Sequence, residues 1–274
     1  MIRPGDSGSS VKELQRTLNN LGSMLLLDGQ FGPSTSDAVT TARETLDIPG
    51  PVDVDDTFQA ALAKVPDLFP PLTTSGVTFI ARAEVGSAKQ YKQHPHPCLP
   101  SATSGITIGI GYDCQFVTRD QLFADWTRKL PDAALERIAG CVGVVGTQTL
   151  LTPLMDLQVP LSAAMSVFAT RSLQQYLDQT RSIYPQIDDL NEARRTALVS
   201  IVYNRGPRIT DKDPGRQDRL EMRNIRDLLK AGNVDAIADQ IDAMARLWDA
   251  GSGLVQRRHS EAALWRGGFA AVQL

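Results

Sequence analysis

Three prolines within six residues, Pro66, Pro70 and Pro71, stop any helix from running through this part of the chain. Each lacks the amide that an α-helix needs and clashes with the preceding turn. The segment Val65 to Leu72 therefore divides the chain, and the expected organisation is a small domain over 1–68, a linker over 69–76 and a larger domain over 77–274. Before the break, Val11, Leu14, Leu18 and Leu21 share one helical face, with Ser10 and Glu13 at capping-box spacing. A Gly-rich turn, Asp28 to Pro33, leads into a second helix through Ala38, Val39, Ala42 and Leu46, and a third spans about Asp56 to Ala63. These make a three-helix bundle with a thin core.

After the break, Thr74 or Ser75 can cap a helix that carries Val77, Ile80, Ala81 and Glu84 and ends near Gly86. The run Gly105-Ile106-Thr107-Ile108-Gly109-Ile110-Gly111-Tyr112 interleaves β-branched residues with glycine, which suits a short, sharply turning hairpin. From Thr118, which has Gln121 at capping spacing, the pattern is helical almost to the end. It includes a strong helix through Ala193 to Val202 preceded by Asp188 or Asp189, and an amphipathic stretch from Ala236 to Trp248. The fold class expected is mainly α, with one small β insert.

Residues 1–68 hold 5 Lys/Arg against 10 Asp/Glu, and the whole chain carries −3, so no nucleic-acid footprint is present. Apolar runs such as Met24 to Leu27 are far shorter than the roughly 20 residues that span a bilayer. Met1 to Asp6 lacks the apolar region of a secretory signal, so cytoplasmic synthesis without a signal peptide is expected. Cys98, Cys114 and Cys141 contain no CxxC pair; a Cys98–Cys114 disulfide and three free thiols both remain open. His94-Pro95-His96-Pro97-Cys98 places zinc-ligand types at alternate positions, but no fourth ligand is evident, and an exposed loop with His94 available to substrate is the alternative.

Two sets of residues carry family resemblances. Arg3-Pro4-Gly5-Asp6-Ser7-Gly8, Val11-Lys12-Glu13-Leu14-Gln15, Asp28-Gly29-Gln30-Phe31-Gly32, Thr35 and Ala38-Val39 resemble the three-helix peptidoglycan-binding domain of cell-wall hydrolases. Ala42-Arg43 stands where that pattern usually has an aromatic-Gln pair. Glu84, Thr107 to Asp113, Ala197 to Gly206, and Gly253 to Arg258 with Glu261 and Leu264 resemble the phage-type lysozyme family of glycoside hydrolases and its pesticin-like relatives. That resemblance implies a lysozyme-like α+β catalytic domain with a small β-hairpin, acting on bacterial peptidoglycan as an endolysin or a secreted effector. It implies no cofactor and no metal, no membrane or nucleic-acid partner, and a monomer that works on the wall in the periplasm or outside.

Cleavage of a glycosidic bond needs a proton for the leaving oxygen, and usually a second carboxylate that manages water or the nascent cation. Glu84 fits the acid, since nearby Phe79, Ile80 and Ala83 suggest a partly apolar pocket in which a carboxyl keeps its proton. Positions 85–106 contain no Asp or Glu, where the resembled family commonly has an aspartate. Thr107 can orient water through its hydroxyl. Asp113 is either the missing carboxylate, facing the same side as Thr107, or a cap on the turn before Cys114. Tyr112, Tyr203, Asn204 and His94 are the candidate substrate contacts. By resemblance the turn at Tyr203 and Asn204 lines the cleft opposite Glu84, though Asn204 and Gly206 can also simply end the helix. Arg257 and Arg258, between an apolar dipeptide and a helix with Glu261, are expected to build a salt-bridged base rather than contact substrate. The muramidase expected cleaves the β-1,4 bond between N-acetylmuramic acid and N-acetylglucosamine. Its rivals are a lytic transglycosylase, which needs only one glutamate, and a non-catalytic wall-binding protein.

Overall fold

The computed structural model describes residues 1–66, 72–209 and 217–272. Of the expected linker over 69–76, positions 69–71 lie outside them, and a helix begins within the remainder, at Thr74. In chain order the helices are α1 (Ser9–Asn20), α2 (Pro33–Thr45), α3 (Asp56–Leu62), α4 (Thr74–Val85) and α5 (Ala88–Gln93). Then come strands β1 (Thr107–Ile108) and β2 (Tyr112–Asp113), followed by α6 (Arg119–Trp126), α7 (Asp132–Ala139), α8 (Gln148–Leu151) and α9 (Leu161–Val167). The rest is α10 (Leu173–Ile183), α11 (Glu192–Arg205), α12 (Leu220–Lys230), α13 (Ile237–Ala243) and α14 (Gly253–Gly267). Among the described residues the only sheet is the antiparallel β1–β2 pair, so the chain is mainly helical. The described residues contain no helix long and apolar enough to cross a membrane.

The chain forms two compact units. One comprises Met1–Phe69 with Glu84–Ser172, and the other Pro70–Ala83 with Leu173–Leu274. In the first, α1, α2 and α3 enclose Leu14, Leu18, Val39, Phe58 and Leu62. Bridges between Ile2 and Val54 and between Ser7 and Gln30 tie the loops across this bundle. One helix start in this bundle differs from the sequence pattern. Gly8, not Ser10, is the N-cap of α1, and it carries no side-chain cap; Glu13 pairs with Arg16 instead of closing a capping box. Gln15 does the tying work, with Nε2 donating to Asp28 Oδ1 at 2.7 Å and Oε1 accepting from the Gly29 amide at 2.9 Å. The buried Gln15 amide thus has partners on both its nitrogen and its oxygen in the Gly-rich turn. Arg43, which replaces the expected glutamine, is 3% exposed, donates to the Asp53 carbonyl and Asp55 carboxylate, and lies over the Phe58 ring.

The remainder of this unit is built on α5 to α9 and the hairpin, with Ile106, Cys141, Leu151 and Leu154 forming a second apolar cluster. Thr118 caps α6 as its spacing predicts, accepting from the Gln121 amide. Residues Phe168–Ser172 wind as a single π-helical turn.

The second unit packs α11 against α10 and α14, with α13 against α12 and α14. Asn191, rather than Asp188 or Asp189, caps α11, because Pro185–Asp189 winds as a 3-10 turn and the helix starts later. The start of α4 is bound here too: the Thr73 amide and hydroxyl donate to Glu192, and Leu72 is buried. Arg257 and Arg258 are buried and converge on Glu261 Oε1 at 3.2 and 3.0 Å, the salt-bridged base that the sequence suggested. The Ser200 hydroxyl joins them at 2.5 Å.

Candidate functional site

The hairpin is held from both sides. Thr107 exchanges both backbone hydrogen bonds with Cys98, at 2.8 and 2.9 Å, and pairs across the strand with Asp113. Directly opposed residues project to the same face, so Cys98, Thr107 and Asp113 form a row across three adjacent segments. Thr107 is 8% exposed, Asp113 is half-buried and Cys98 is exposed. Asp113 has a capping task as well: Oδ1 accepts from the Gly105 amide at 3.0 Å and the Gln115 amide at 2.9 Å, and Oδ2 accepts weakly from Gly105 at 3.2 Å. A carboxylate has about four lone-pair sites, so Oδ2 keeps acceptor capacity while the group is fixed in orientation.

The turn between the strands depends on one glycine. Gly109 has φ +59, and a Cβ there would come within 3.0 Å of the Trp126 ring and 3.1 Å of Ala164. Only glycine accepts that backbone at that distance. Tyr112, expected to touch substrate, is instead buried, with its ring edge-on to Trp126 at 5.5 Å and its hydroxyl donating to Asp125 Oδ2 at 2.9 Å. Its phenol pKa is pushed well up, first by burial and then by that carboxylate.

Glu84 lies in the last turn of α4, which ends where Gly86 adopts φ +74 and Ser87 and Gln90 form the capping box of α5. Glu84 and Ala83 are exposed, so the expected apolar pocket is not formed. Phe79 and Ile80 are fully buried earlier along the helix, and α4 has run out of the core by residue 83. A helix C-terminus favours cations, so the helix dipole does not stabilise a carboxylate there.

The His-Pro stretch is pinned rather than loose. His96 Nδ1 lies 2.9 Å from the Leu157 carbonyl, the Val159 amide donates to Pro95 O, and the Tyr91 hydroxyl donates to Val159 O at 3.0 Å. His94 is exposed. The described residues bring together no group of three or more His, Cys, Asp or Glu able to hold a metal. All three cysteines are free thiols; Cys114 is buried, which pushes its pKa up to about 12, while its proposed partner Cys98 is exposed.

Tyr203 and Asn204 belong to the second unit, near the end of α11. Tyr203 packs on Tyr176 with centroids 4.5 Å apart, and Asn204 Oδ1 accepts from Arg258 at 3.3 Å. Both are half-buried. Trp248 is flanked by Arg205 and Arg258, whereas Trp126 and Trp265 are core residues. Two residues of the hairpin support, Asp125 and Arg171, have no sequence signal: one sits in an ordinary helical pattern and the other in a π turn that periodicity does not encode.

On the N-terminal bundle a cavity of about 480 Å³ opens between α1 and α3, with Leu14, Val54 and Leu62 as an apolar floor and Ser10, Glu13 and Gln59 as polar lining. Residues 7–45, which include α1 and α2, match the family model described as "Putative peptidoglycan binding domain". This match associates the N-terminal part of the chain with the cell wall. No curated protein matches the chain.

Proposed function

We propose that this chain is a peptidoglycan hydrolase, a muramidase that cleaves the β-1,4 bond between N-acetylmuramic acid and N-acetylglucosamine. The observation that carries the reading is an exposed carboxylate, Glu84, ending α4 in a chain whose residues 7–45 match a wall-binding family. A polymeric substrate cannot enter an enclosed pocket, so its acid must stand where a glycan strand can reach it. In this reading Glu84 protonates the leaving oxygen. Thr107 holds the attacking water by its hydroxyl, and Asp113, its cross-strand partner, orients that water through the free capacity of Oδ2. His94, Tyr203 and Asn204 offer imidazole, phenol and amide groups suited to N-acetyl sugars. Tyr112 serves by bracing the hairpin. The N-terminal bundle holds the wall in its cavity, and the enzyme acts in the periplasm or outside the cell.

A lytic transglycosylase is the second reading, and one observation favours it. Positions 85–106 carry no carboxylate, and Asp113 already accepts two amides. In that chemistry the sugar's own hydroxyl attacks and one glutamate suffices.

The test is digestion of purified sacculi by the full chain, followed by turbidity and mass spectrometry of the released muropeptides. Reducing ends released by the native protein and lost in Glu84→Gln, with sacculus binding intact, are the expected result. Anhydro-muramic ends select the second reading. An unchanged Glu84→Gln variant, or a native chain that binds sacculi without releasing fragments, overturns both.

A further inference from the structure

Behind the hairpin three donors converge on one carboxylate. Asp125, in the last turn of α6, accepts from the Tyr112 hydroxyl at 2.9 Å and Gln121 Nε2 at 2.8 Å, and pairs with Arg171 Nε at 3.5 Å. Its side chain is 11% exposed. A carboxylate this buried, at the helix end the dipole disfavours, costs stability unless its partners compensate it. The Arg171 partner comes from the π turn Phe168–Ser172, a backbone form found mostly as single turns and frequently at functional sites. The Tyr112 partner is the residue directly before Asp113 on β2. The same helix end supplies Trp126, against which both the Tyr112 ring and Gly109 are packed. Thus residues 125 and 126 together hold the Tyr112 hydroxyl, the Tyr112 ring and the Gly109 turn.

We infer that Asp125 is a positioning residue: by holding the Tyr112 hydroxyl and Arg171 it sets the angle of the hairpin that presents Thr107 and Asp113, and glycan cleavage depends on that angle. The inference rests on the muramidase reading. It assigns Asp125 no contact with substrate. A reacting group displaced by about 1 Å loses on the order of 100-fold in rate, whereas fold and ground-state binding tolerate that shift.

The experiment compares the native chain with Asp125→Asn, Tyr112→Phe and the double variant. Sacculus digestion gives turnover and KM, thermal melting reports the fold, and amide hydrogen exchange is followed at Thr107 and Cys114, whose N–H groups bind Cys98 O and Ile106 O. Expected for Asp125→Asn is a turnover loss of about 100-fold with KM within about twofold. The two hairpin amides should exchange about tenfold faster, as expected for local opening. The double variant should be no worse than Asp125→Asn, because both changes cut the same link. Should Asp125→Asn fail to fold, Tyr112→Phe carries the test, since it removes only one hydroxyl. A folded variant with native turnover and native exchange overturns the inference, as does a loss confined to KM or a strictly additive double variant. A native chain that releases no fragments overturns the muramidase reading, and the inference with it; full activity in folded Asp125→Asn overturns the inference alone.

Discussion

Gly105→Ala should disable the hairpin although it adds one methyl group. A Cβ at residue 105 would run into Asp113 Oδ1 and come 2.5 Å from the Gln115 amide nitrogen and 2.6 Å from Gln115 Cβ. Neither neighbour is the end of a long side chain: one is backbone, and the other is a short carboxylate tied to two amides. The backbone must therefore move. Overpacking of this kind costs about 1–3 kcal/mol, and losing an amide bond to an ionised carboxylate costs about 1.5–3 kcal/mol. The sum, about 2.5–6 kcal/mol, lowers the melting temperature by roughly 5–20 °C in a unit of this size. Gly140→Ala is the matched control, because Gly140 has helical φ −66 and a Cβ there meets only Arg137 O at 3.4 Å. Calorimetry of both variants beside the native chain, with sacculus digestion in parallel, checks the argument. Gly105→Ala that melts with the control and digests normally would refute the packing reasoning and the role given to Asp113.

Two more outcomes follow from the charged groups. The Phe58 amide and then the Arg43 guanidinium hold the Asp55 carboxyl below its ordinary value of 3.8. This contribution is fully present above that value and disappears as pH falls through the lowered one, so the melting temperature of the N-terminal bundle should drop in that acid window, and Asp55→Asn should flatten the dependence. Glu261→Gln takes away the anion shared by buried Arg257 and Arg258, and should cost about 3–5 kcal/mol in denaturant titration of the second unit; a change below about 1 kcal/mol would mean the cluster is compensated elsewhere.

Periodicity located the helices well, because an apolar stripe is a local property of the chain: Val11, Leu14 and Leu18 point inward as their spacing demands, and Thr118 caps α6 at its motif position. Caps that compete with neighbouring geometry were less legible. Ser10 lost its capping role to Gly8, whose amide is bound to the Gly29 carbonyl, and Asp188 lost its own to Asn191 because a 3-10 turn intervenes. Asp113 illustrates the limit for the site: strand parity put it beside Thr107, but its bonds to Gly105 and Gln115 depend on how the loop closes.

The order of residues alone determined a mainly helical chain with a glycine-bent hairpin and an N-terminal bundle, since each of these follows from local spacing and from what proline and glycine permit. Only the tertiary structure decided that Glu84 is exposed, that Tyr112 is buried, and that Asp125 and Arg171 meet behind the hairpin. Burial and pairing between segments far apart in the chain, such as Asp125 with Arg171 and Thr73 with Glu192, depend on which surfaces remain after the helices pack. No local pattern carries that information.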